Sequence, residues 1–425
     1  MPTTRGELKM PNALNLDGIA LTTEQGQWRR AAEQVARDVL APHAADVDRY
    51  GEFPHEGITA VREAKLLGLM VPESLGGPGG SIVTGMLVTE ALAKGCASTA
   101  MCYAMHQSTV PLICSLVDDD QAERFVDPIL SGEWLGAFAM SEPGSGNRIW
   151  HMDSHAVEED GGFLIDSFKS FATSSGHADF YLVPVRANAD VGPTDLSLFV
   201  IDGKDEHIEP KGVWDGMGLR GNSSRPVHFN GCRVPREHRL GEPTAGFSFM
   251  MAYALPIYLV GLSACYLGIA QAAFDAAVAH VKGRIHSDTG RSLATVETVQ
   301  RYVGEMKVRI DQARAAVLRV AQMSDNATVL FDEFRESELL DEIVRENPDD
   351  PYFVELAALK VMAAETAVAV SHMAIQVCGG VAYRRGHVTE RCYRDARAGS
   401  LMAPSDDTLK VIMGNQLLGT PQPWA

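Results

Sequence analysis

The chain has 425 residues, of which 46% are hydrophobic and 22% are charged, so it is long enough for two or three packed domains. Its formal net charge of −18 argues against nucleic-acid binding, because phosphates attract clustered Lys and Arg, but it leaves room for a local basic pocket. The seven cysteines are scattered, odd in number and without metal-ligand spacing, so they are interpreted as reduced core residues and no metal site is expected.

Two segments bear on targeting. The N-terminus has no apolar stretch and carries only Arg5 and Lys9 as early positive charges, so neither a secretory signal nor a transit peptide is expected. The run MMAYALPIYLVGLSACYLGIAQAAF is long and apolar, but Pro256 and Gly261 interrupt it. It is therefore predicted to be a buried core helix and not a membrane span, and the protein is expected in the cytoplasm.

Helical periodicity dominates the chain up to about residue 136. Thr22 or Thr23 is placed to cap the first helix, and a second helix closes in the Gly/Pro-rich loop at residues 75–80. A long apolar helix pair and a short amphipathic helix follow. These patterns predict an N-terminal helical domain over residues 1–136.

The pattern then changes to strands and back to helices. The runs FLIDSFKSFATS, FYLVPVRA, LSLFVID and RPVHFNGCRVP have period-2 character and are separated by turn residues. Helical periodicity returns after Pro243 and runs to Gln322. A charged stretch follows, which is either a solvated amphipathic helix or an excursion, and the last helices lie at about residues 352–376 and 408–418. The order predicts an α+β chain with a middle β domain at 137–243 and a helical domain at 244–425.

The stretch from Ala137 to Ala187 has the character of one wall of a cofactor site. In SEPGSG, the hydroxyls of Ser141 and Ser145 lie among glycines that let backbone N–H groups approach a ligand closely. Phe171 and Thr173 lie on one strand face, because strand side chains repeat with period 2. A ring beside a hydroxyl suits a flat heteroaromatic cofactor. An ordinary β-hairpin with a Gly-rich turn is the alternative.

Six blocks occur in an order and with a spacing that resemble the acyl-CoA dehydrogenase superfamily of flavoproteins. They are LGLMVPESLGGPGGS, SEPGSG, FKSFATSSGHADF, MGLRGNSSRPVHFNGCRVPREHRLGEPTAGF, QVCGGVAY and CYRDAR. The resemblance implies an N-terminal helical domain, a middle β-barrel or β-sandwich domain and a C-terminal four-helix bundle. It also implies non-covalent FAD between the last two domains, an acyl-CoA or related thioester substrate, and electron-transfer flavoprotein as a candidate acceptor. A homo-oligomer built as a dimer of dimers is expected, since a neighbouring subunit usually completes the FAD site.

Eight residues match positions that hold FAD in the family. They are Met140 and Ser141 against the flavin, Phe171 as the ring-flanking aromatic, Thr173 as the hydroxyl near flavin N5, Arg284 at the pyrophosphate, and Gln376, Gly379 and Gly380 at the adenine half across the subunit boundary. A bidentate phosphate contact suits the guanidinium of Arg284. In a chain without flavin, Gln376 would instead cap a helix and Arg284 would form a surface ion pair.

The catalytic base departs from the family. Removal of the α-proton of a thioester needs a carboxylate in a dry pocket, while hydride leaves the β-carbon for flavin N5. The family's glutamate position falls on Ala403, and the location that a minority uses falls at about Tyr258, next to Leu259 in place of an arginine. Asn147 and Arg148 replace the usual Ser-Asp after the SEPGSG block. Asn147, Arg148 and Tyr258 are therefore expected at the substrate.

Three functions stay open on the sequence. The first is oxidation of an acyl thioester at its α,β-carbons with a displaced base, for which Asp406 and Asp407 are the nearest carboxylates, although such a pair also suits a helix start. The second is a flavin-dependent monooxygenase or oxidase on the same fold, since relatives that activate oxygen have also lost the glutamate. The third is a non-catalytic FAD-binding subunit of a hetero-oligomeric dehydrogenase. The first is ranked highest.

Overall fold

The N-terminal part of the chain is helical. The computed structural model describes residues 21–334, residue 340 and residues 351–420. The helices are α1 (Thr23–Val35), α2 (Ala41–Tyr50), α3 (His55–Glu63), α4 (Ile82–Gly95), α5 (Ala97–Gln107), α6 (Val110–Cys114), α7 (Asp119–Gln121) and α8 (Asp127–Ser131), with π-helical turns at Ala36–Leu40 and Ala122–Val126. Thr22 accepts a hydrogen bond from the Gln25 N–H and the Gln25 side chain accepts one in return, so Thr22 is the N-cap of a capping box.

The middle part is a sandwich of two four-stranded sheets. The strands are β1 (Gly136–Phe138), β2 (Ala156–Glu159), β3 (Gly162–Ala172), β4 (Phe180–Arg186), β5 (Leu196–Asp202), β6 (Ile208–Pro210), β7 (Arg225–Pro235) and β8 (Arg239–Leu240). One sheet has the order β1-β4-β5-β8 and the other β2-β3-β7-β6; among the named strands of the described residues, β1 and β4 pair in parallel and the other neighbours pair antiparallel. Phe163, Tyr181, Phe199 and Phe229 from both sheets share one core. The four strands predicted from period-2 runs are confirmed as β3, β4, β5 and β7.

The C-terminal part is a helical bundle. Its helices are α9 (Gly246–Phe249), α10 (Leu255–Gly283), α11 (Glu297–Phe334), α12 (Pro351–Cys378), α13 (Val388–Arg397) and α14 (Asp406–Leu418), with a π-helical turn at Met250–Ala254. α10 packs against α12 on one side and against α4 and α5 on the other, which joins the two helical regions. The charged segment after Phe334 lies mostly outside the described residues.

The most apolar helix is part of the core. Among the described residues, the run Gly246–Gly283 is the one helix long and apolar enough to cross a membrane, and 78% of its most apolar window is buried inside the fold. This burial agrees with the predicted core helix. All seven cysteines are likewise buried and unpaired.

One group of hydrogen bonds around Arg394 and Asp395 connects the N-terminal, middle and C-terminal parts of the chain. Arg394 on α13 donates hydrogen bonds to both carboxylate oxygens of Asp48 on α2, at 2.7 and 2.6 Å, and to the carbonyl of Met217, at 3.0 Å. The Leu219 N–H donates to Asp395 at 2.7 Å. A Cβ on Gly218 would lie 2.2 Å from the Arg394 carbonyl oxygen, so only glycine permits this approach.

We expect Gly218→Ala to lower the melting temperature, because the new methyl would clash with backbone, which cannot move aside as a flexible side chain can. Overpacking of this kind costs about 1–3 kcal/mol. Gly304→Ala is the matched control: it lies inside α11 with no atom within 4 Å of the added Cβ, so helix propensity should raise stability by up to about 1 kcal/mol. Equal melting temperatures for the two variants would contradict the close contact.

Candidate functional site

A cavity of about 600 Å³ lies where the β-sandwich meets the bundle. Ligand pockets commonly measure about 300–1,000 Å³, so it suits a cofactor ring with part of a substrate. Three segments supply most of its walls: residues 138–149 with Ser170, Phe171 and Thr173; residues 214–224; and residues 394–403 with Tyr258. The sandwich and α13 thus face one space.

The predicted cofactor wall lines this cavity. Met140, Ser141, Phe171 and Thr173 all belong to the lining. The Ser170 N–H donates to the Ser141 carbonyl at 2.7 Å, which ties the segment after β1 to the end of β3. The ring of Phe171 is 58% exposed, whereas Thr173 is buried. An aromatic face left open beside a hydroxyl is the surface that the sequence predicted for a flat ring.

The loop before β7 forms the second wall. The Trp214 indole N–H donates to the Leu219 carbonyl at 2.9 Å, which closes the loop on itself. The hydroxyls of Ser224 and Thr173 lie 3.3 Å apart. Asn222 is buried, and its side-chain oxygen has no hydrogen-bond partner within the part of the chain that the structure describes.

These groups fit the isoalloxazine ring of FAD. An orphaned buried acceptor costs free energy until a donor reaches it, and a flavin carries both donors and acceptors on its edge. The open ring of Phe171 and the hydroxyls of Ser141, Thr173 and Ser224 supply a stacking face and polar partners. The sequence reasoning assigned no role to Trp214, Asn222 or Ser224. Their block was recognised, but the loop is irregular and has no period that indicates which side chains point inward.

A buried ion pair holds the SEPGSG segment in place. Glu142 accepts a hydrogen bond from Lys169 at 2.8 Å and others from the side chain and N–H of Ser154. Burial acts to raise the pKa of Glu142, but the charge and hydrogen bond of Lys169 outweigh it and lower the pKa to about 2. Burial also lowers the pKa of Lys169. Glu142 is therefore a carboxylate at neutral pH, and its oxygens accept hydrogen bonds from Lys169 and Ser154 inside the protein.

The third wall carries no carboxylate at either position where the family has its base. Ala403 and Tyr258 both line the cavity, and the Tyr258 hydroxyl donates to the Ala403 carbonyl at 2.6 Å. Burial raises the pKa of Tyr258 well above its usual value. Ala403 and Tyr258 are therefore neighbours and are both uncharged at neutral pH.

Asp406 and Asp407 lie outside the cavity lining. Asp406 is buried and accepts a hydrogen bond from Lys360 at 2.8 Å, while Lys360 also donates to the carbonyls of Met402 and Pro404. Burial raises the pKa of Asp406, although Lys360 opposes this shift. Asp407 is exposed in the first turn of α14. The geometry gives Asp406 a structural contact that anchors the loop around Ala403.

The two predicted substrate residues after the SEPGSG block are placed differently. Asn147 lines the cavity and is exposed, whereas Arg148 is half-buried and does not belong to the lining. Arg397 at the end of α13 lines the cavity and was not singled out from the sequence.

Four predicted FAD residues lie at the far end of the bundle: Arg284, Gln376, Gly379 and Gly380. All four are exposed and none lines the cavity. Arg284 directly follows α10, and the others lie in or just after the last turn of α12. The ring of His280, near the end of α10, lies 6.4 Å from the ring of His387, the N-cap of α13, so the connection that follows α12 lies beside the end of α10. The structure thus brings the four residues to one end of the bundle, apart from the flavin wall.

Comparison with known proteins covers nearly the whole chain. Models of the acyl-CoA dehydrogenase N-terminal, middle and C-terminal domains match residues 22–133, 137–232 and 244–418. The probable acyl-CoA dehydrogenase YngJ of Bacillus subtilis is 29% identical, with 94% of this chain and 99% of YngJ covered. The human mitochondrial short-chain specific acyl-CoA dehydrogenase is 29% identical over 95% of this chain and 93% of that protein. The butyryl-CoA dehydrogenase structure from Megasphaera elsdenii aligns with a TM-score of 0.83 at 25% identity, over 94% and 99% of the two chains.

Glu142→Gln should destabilise the protein by about 3–5 kcal/mol, because it leaves the Lys169 ammonium buried without its counter-charge. The double variant Glu142→Gln/Lys169→Met, which removes both charges, should recover most of this loss. Denaturant unfolding at pH 7 measures both values. A single variant as stable as the double one would contradict the role of the pair.

The Glu142–Lys169 ion pair also makes the free energy of unfolding depend on pH. The folded pKa of Glu142, about 2, lies below the ordinary value of 4.5, so its contribution is complete above pH 4.5 and is lost as the pH falls towards 2. The parent should therefore lose stability faster than the double variant between pH 4.5 and 2.5. Identical slopes of unfolding free energy against pH would show that Glu142 titrates normally.

Proposed function

Because the chain belongs to the acyl-CoA dehydrogenase superfamily, we propose that it oxidises an acyl thioester at its α,β-carbons with a non-standard base. As a member of this superfamily, it is an FAD-dependent oxidoreductase that acts on CH–CH donors. The base and the identity of the thioester are the parts that we propose. One observation supports the proposal: Met140, Ser141, Phe171 and Thr173 line one side of the cavity, while the wall at Ala403 and Tyr258 has no free carboxylate among the described lining residues.

Different residues of the cavity wall contact the flavin ring and the acyl group. FAD, when bound, supplies the hydride acceptor. Phe171 flanks the ring, and Thr173 with Ser224 offers hydroxyls to its edge. The lining is largely apolar, with the buried side chains of Met105 and Phe138 on its inner side, so it limits water around a bound ring and strengthens polar contacts there. The acyl group then lies between the ring and the segment that carries Ala403.

No ionisable group of the cavity wall is suited to remove the α-proton. Glu142 has a pKa of about 2 and bonds to Lys169, which makes it a poor base near neutral pH. The Tyr258 hydroxyl holds its proton tightly and gives its hydrogen bond to Ala403. The other ionisable lining residues, Arg394 and Arg397, are cations. The proton therefore leaves to a group that is not on this wall, and Asp406 and Asp407 remain the candidates nearest in sequence.

Restoring the glutamate tests the substrate geometry. Ala403→Glu should greatly increase the rate at which a saturated acyl-CoA bleaches the flavin anaerobically, since a positioned base contributes about 10²–10⁴-fold. Ala398→Glu is the matched control, because it adds the same carboxylate elsewhere on the same wall. It should give no such gain. Equal rates in the parent and Ala403→Glu with every acyl-CoA tried would argue against this substrate class.

The displaced-base candidates are tested by amide substitution. Asp406→Asn keeps an oxygen that can accept from Lys360 but leaves this buried ammonium without its counter-charge, so a lower melting temperature is expected. Asp406→Asn/Lys360→Met, which removes both charges, is the stability control. If Asp406→Asn together with this double variant, or Asp407→Asn, loses most flavin reduction at the FAD content of the parent, that aspartate is the base. If neither matters, the proton leaves by another route.

The two other functions have separate signatures. A monooxygenase or oxidase would consume oxygen rapidly in the reduced form with its substrate, whereas a dehydrogenase would pass electrons to electron-transfer flavoprotein. A non-catalytic subunit would bind FAD and be reduced by no acyl-CoA, with or without Ala403→Glu. The sequence favours neither alternative over thioester oxidation, and the cavity supplies no contact specific to them.

We further propose a cytoplasmic homo-oligomer, a dimer of dimers, in which each FAD contacts two chains. Arg284 follows α10, and Tyr258 is in its first turn. The 26 residue-to-residue steps from Tyr258 to Arg284 rise by about 1.5 Å each, so the two positions lie about 39 Å apart along the helix. That span is longer than one FAD. Arg284, with Gln376, Gly379 and Gly380, therefore meets the FAD whose flavin lies in the cavity of a neighbouring chain.

Arg284→Ala should reduce FAD retention, because a charge-assisted contact contributes about 1.5–3 kcal/mol. Arg233→Ala, an exposed arginine of the sandwich, is the control and should retain FAD. Co-purified mixed oligomers of Arg284→Ala and Phe171→Ala chains distinguish the two arrangements. If Arg284 acts on the neighbour's FAD, each mixed dimer regains one intact site. If it acts within its own chain, none is regained.

A further inference from the structure

We propose that the acyl group of the substrate carries a second carboxylate, which binds to Arg397 in the cavity. This inference rests on the proposed thioester oxidation and adds the chemical class of the substrate. Arg397 is the last residue of α13 and lines the cavity together with Ala398, Leu401 and Ala403. Its guanidinium is thus part of the same wall as the position that has lost the base.

The guanidinium of Arg397 has N–H donors that remain available to a ligand. Its Nη1 donates to the hydroxyl of Ser400, a contact that orients the side chain without neutralising it. Within the described part of the chain, no carboxylate lies in ion-pair contact with Arg397, and the charge stays uncompensated. A guanidinium has five N–H donors in a planar fork, so enough remain for a bidentate contact with a carboxylate.

The other charged groups of the lining are already paired. Glu142 bonds to Lys169 at 2.8 Å. Arg394 donates to both carboxylate oxygens of Asp48 and also to Glu390 at 2.6 Å. Among the described lining residues, Arg397 is therefore the one charge that lacks a counter-charge. An uncompensated cation among mostly apolar walls attracts an anion far more strongly than the same cation in water.

The loss of the glutamate at position 403 favours the same substrate. A carboxylate at Ala403, on the segment that begins at Arg397, would repel a second carboxylate on the substrate and compete for the guanidinium. Ala403 and the uncharged Tyr258 remove that competition. The absence of a carboxylate at Ala403 and at Tyr258 therefore has one electrostatic effect: the positive charge of Arg397 on this wall is not neutralised.

The test compares matched acyl-CoA pairs. Succinyl-CoA and butyryl-CoA share a four-carbon acyl chain, and glutaryl-CoA and valeryl-CoA share a five-carbon chain; only the terminal carboxylate differs within each pair. Binding to the FAD-loaded protein is measured anaerobically by the perturbation of the flavin spectrum, and reduction by its bleaching. The carboxylate member of at least one pair should bind about 10–100-fold more tightly, which is the range for a charge-assisted contact.

Variants assign this preference to Arg397. Arg397→Met keeps the length and apolar stem and should abolish the preference while leaving the affinity for the uncharged member unchanged. Arg397→Lys keeps the charge without the fork and should retain part of it. Arg148→Met, a half-buried arginine outside the lining, should leave the preference intact.

Three outcomes would overturn the inference. In the first, the members of both pairs bind the parent equally. In the second, Arg397→Met weakens both members of a pair alike or shifts the FAD reduction potential, which would assign Arg397 to the phosphates of CoA or to the flavin. In the third, Arg148→Met and not Arg397→Met removes the preference. Flavin bleaching in Ala403→Glu by butyryl-CoA tests the proposed function separately. If the flavin is bleached but the parent does not prefer the carboxylate member of either pair, thioester oxidation is supported and only the anion site at Arg397 is wrong.

Discussion

The ion pair between Arg394 and Asp48 is the contact on which the site depends. It joins α13 to α2, and the same guanidinium holds the carbonyl of Met217 in the loop that forms one cavity wall. Burial alone would lower the pKa of Arg394, but Asp48 and Glu390 raise it, so the charge is firmly held. Removing one partner of a buried pair commonly costs about 3–5 kcal/mol, because the other charge stays buried. The lining takes residues from all three parts of the chain: Met105 from the N-terminal helices, residues 138–224 from the middle part, and Tyr258 with residues 394–403 from the bundle.

The flavin side and the bundle side of the cavity differ in how far their residues depart from the family pattern. On the flavin side, Phe171 and Thr173 carry the ring face and hydroxyl expected for FAD. On the bundle side, the base position is Ala403 and the nearest free charge is positive. A cofactor wall must match one fixed molecule, so its residues stay close to the family pattern. The substrate wall must match a variable acyl group, and its chemistry changes with that group.

Much of this arrangement follows from local sequence. Period-2 runs predicted four strands, and Phe171 and Thr173, which were expected on one strand face, both line the cavity although β3 ends at Ala172. Helix α13 was missed because VTERCYRDAR is short and mostly polar, and its buried residues Arg394 and Asp395 are stabilised by partners far away in the chain. Asp406 shows the same limit: its bond to Lys360 spans 46 residues, so the sequence shows only an aspartate at a helix start. The proposed role of Arg397 rests on the lack of a counter-charge among the residues that the structure describes, which no local sequence pattern indicates.

The loop around Ala403 explains how the base could be lost without loss of structure. Lys360, fully buried, donates to the carbonyls of Met402 and Pro404 and to the carboxylate of Asp406, and Tyr258 holds the carbonyl of Ala403 itself. These bonds fix the backbone from behind and involve no side-chain atom of residue 403. A substitution at this position therefore changes the charge and volume of the cavity but leaves the path of the chain intact. With alanine at this position, the described lining residues on the bundle side include no carboxylate, and the charged groups among them are the guanidinium groups of Arg394 and Arg397.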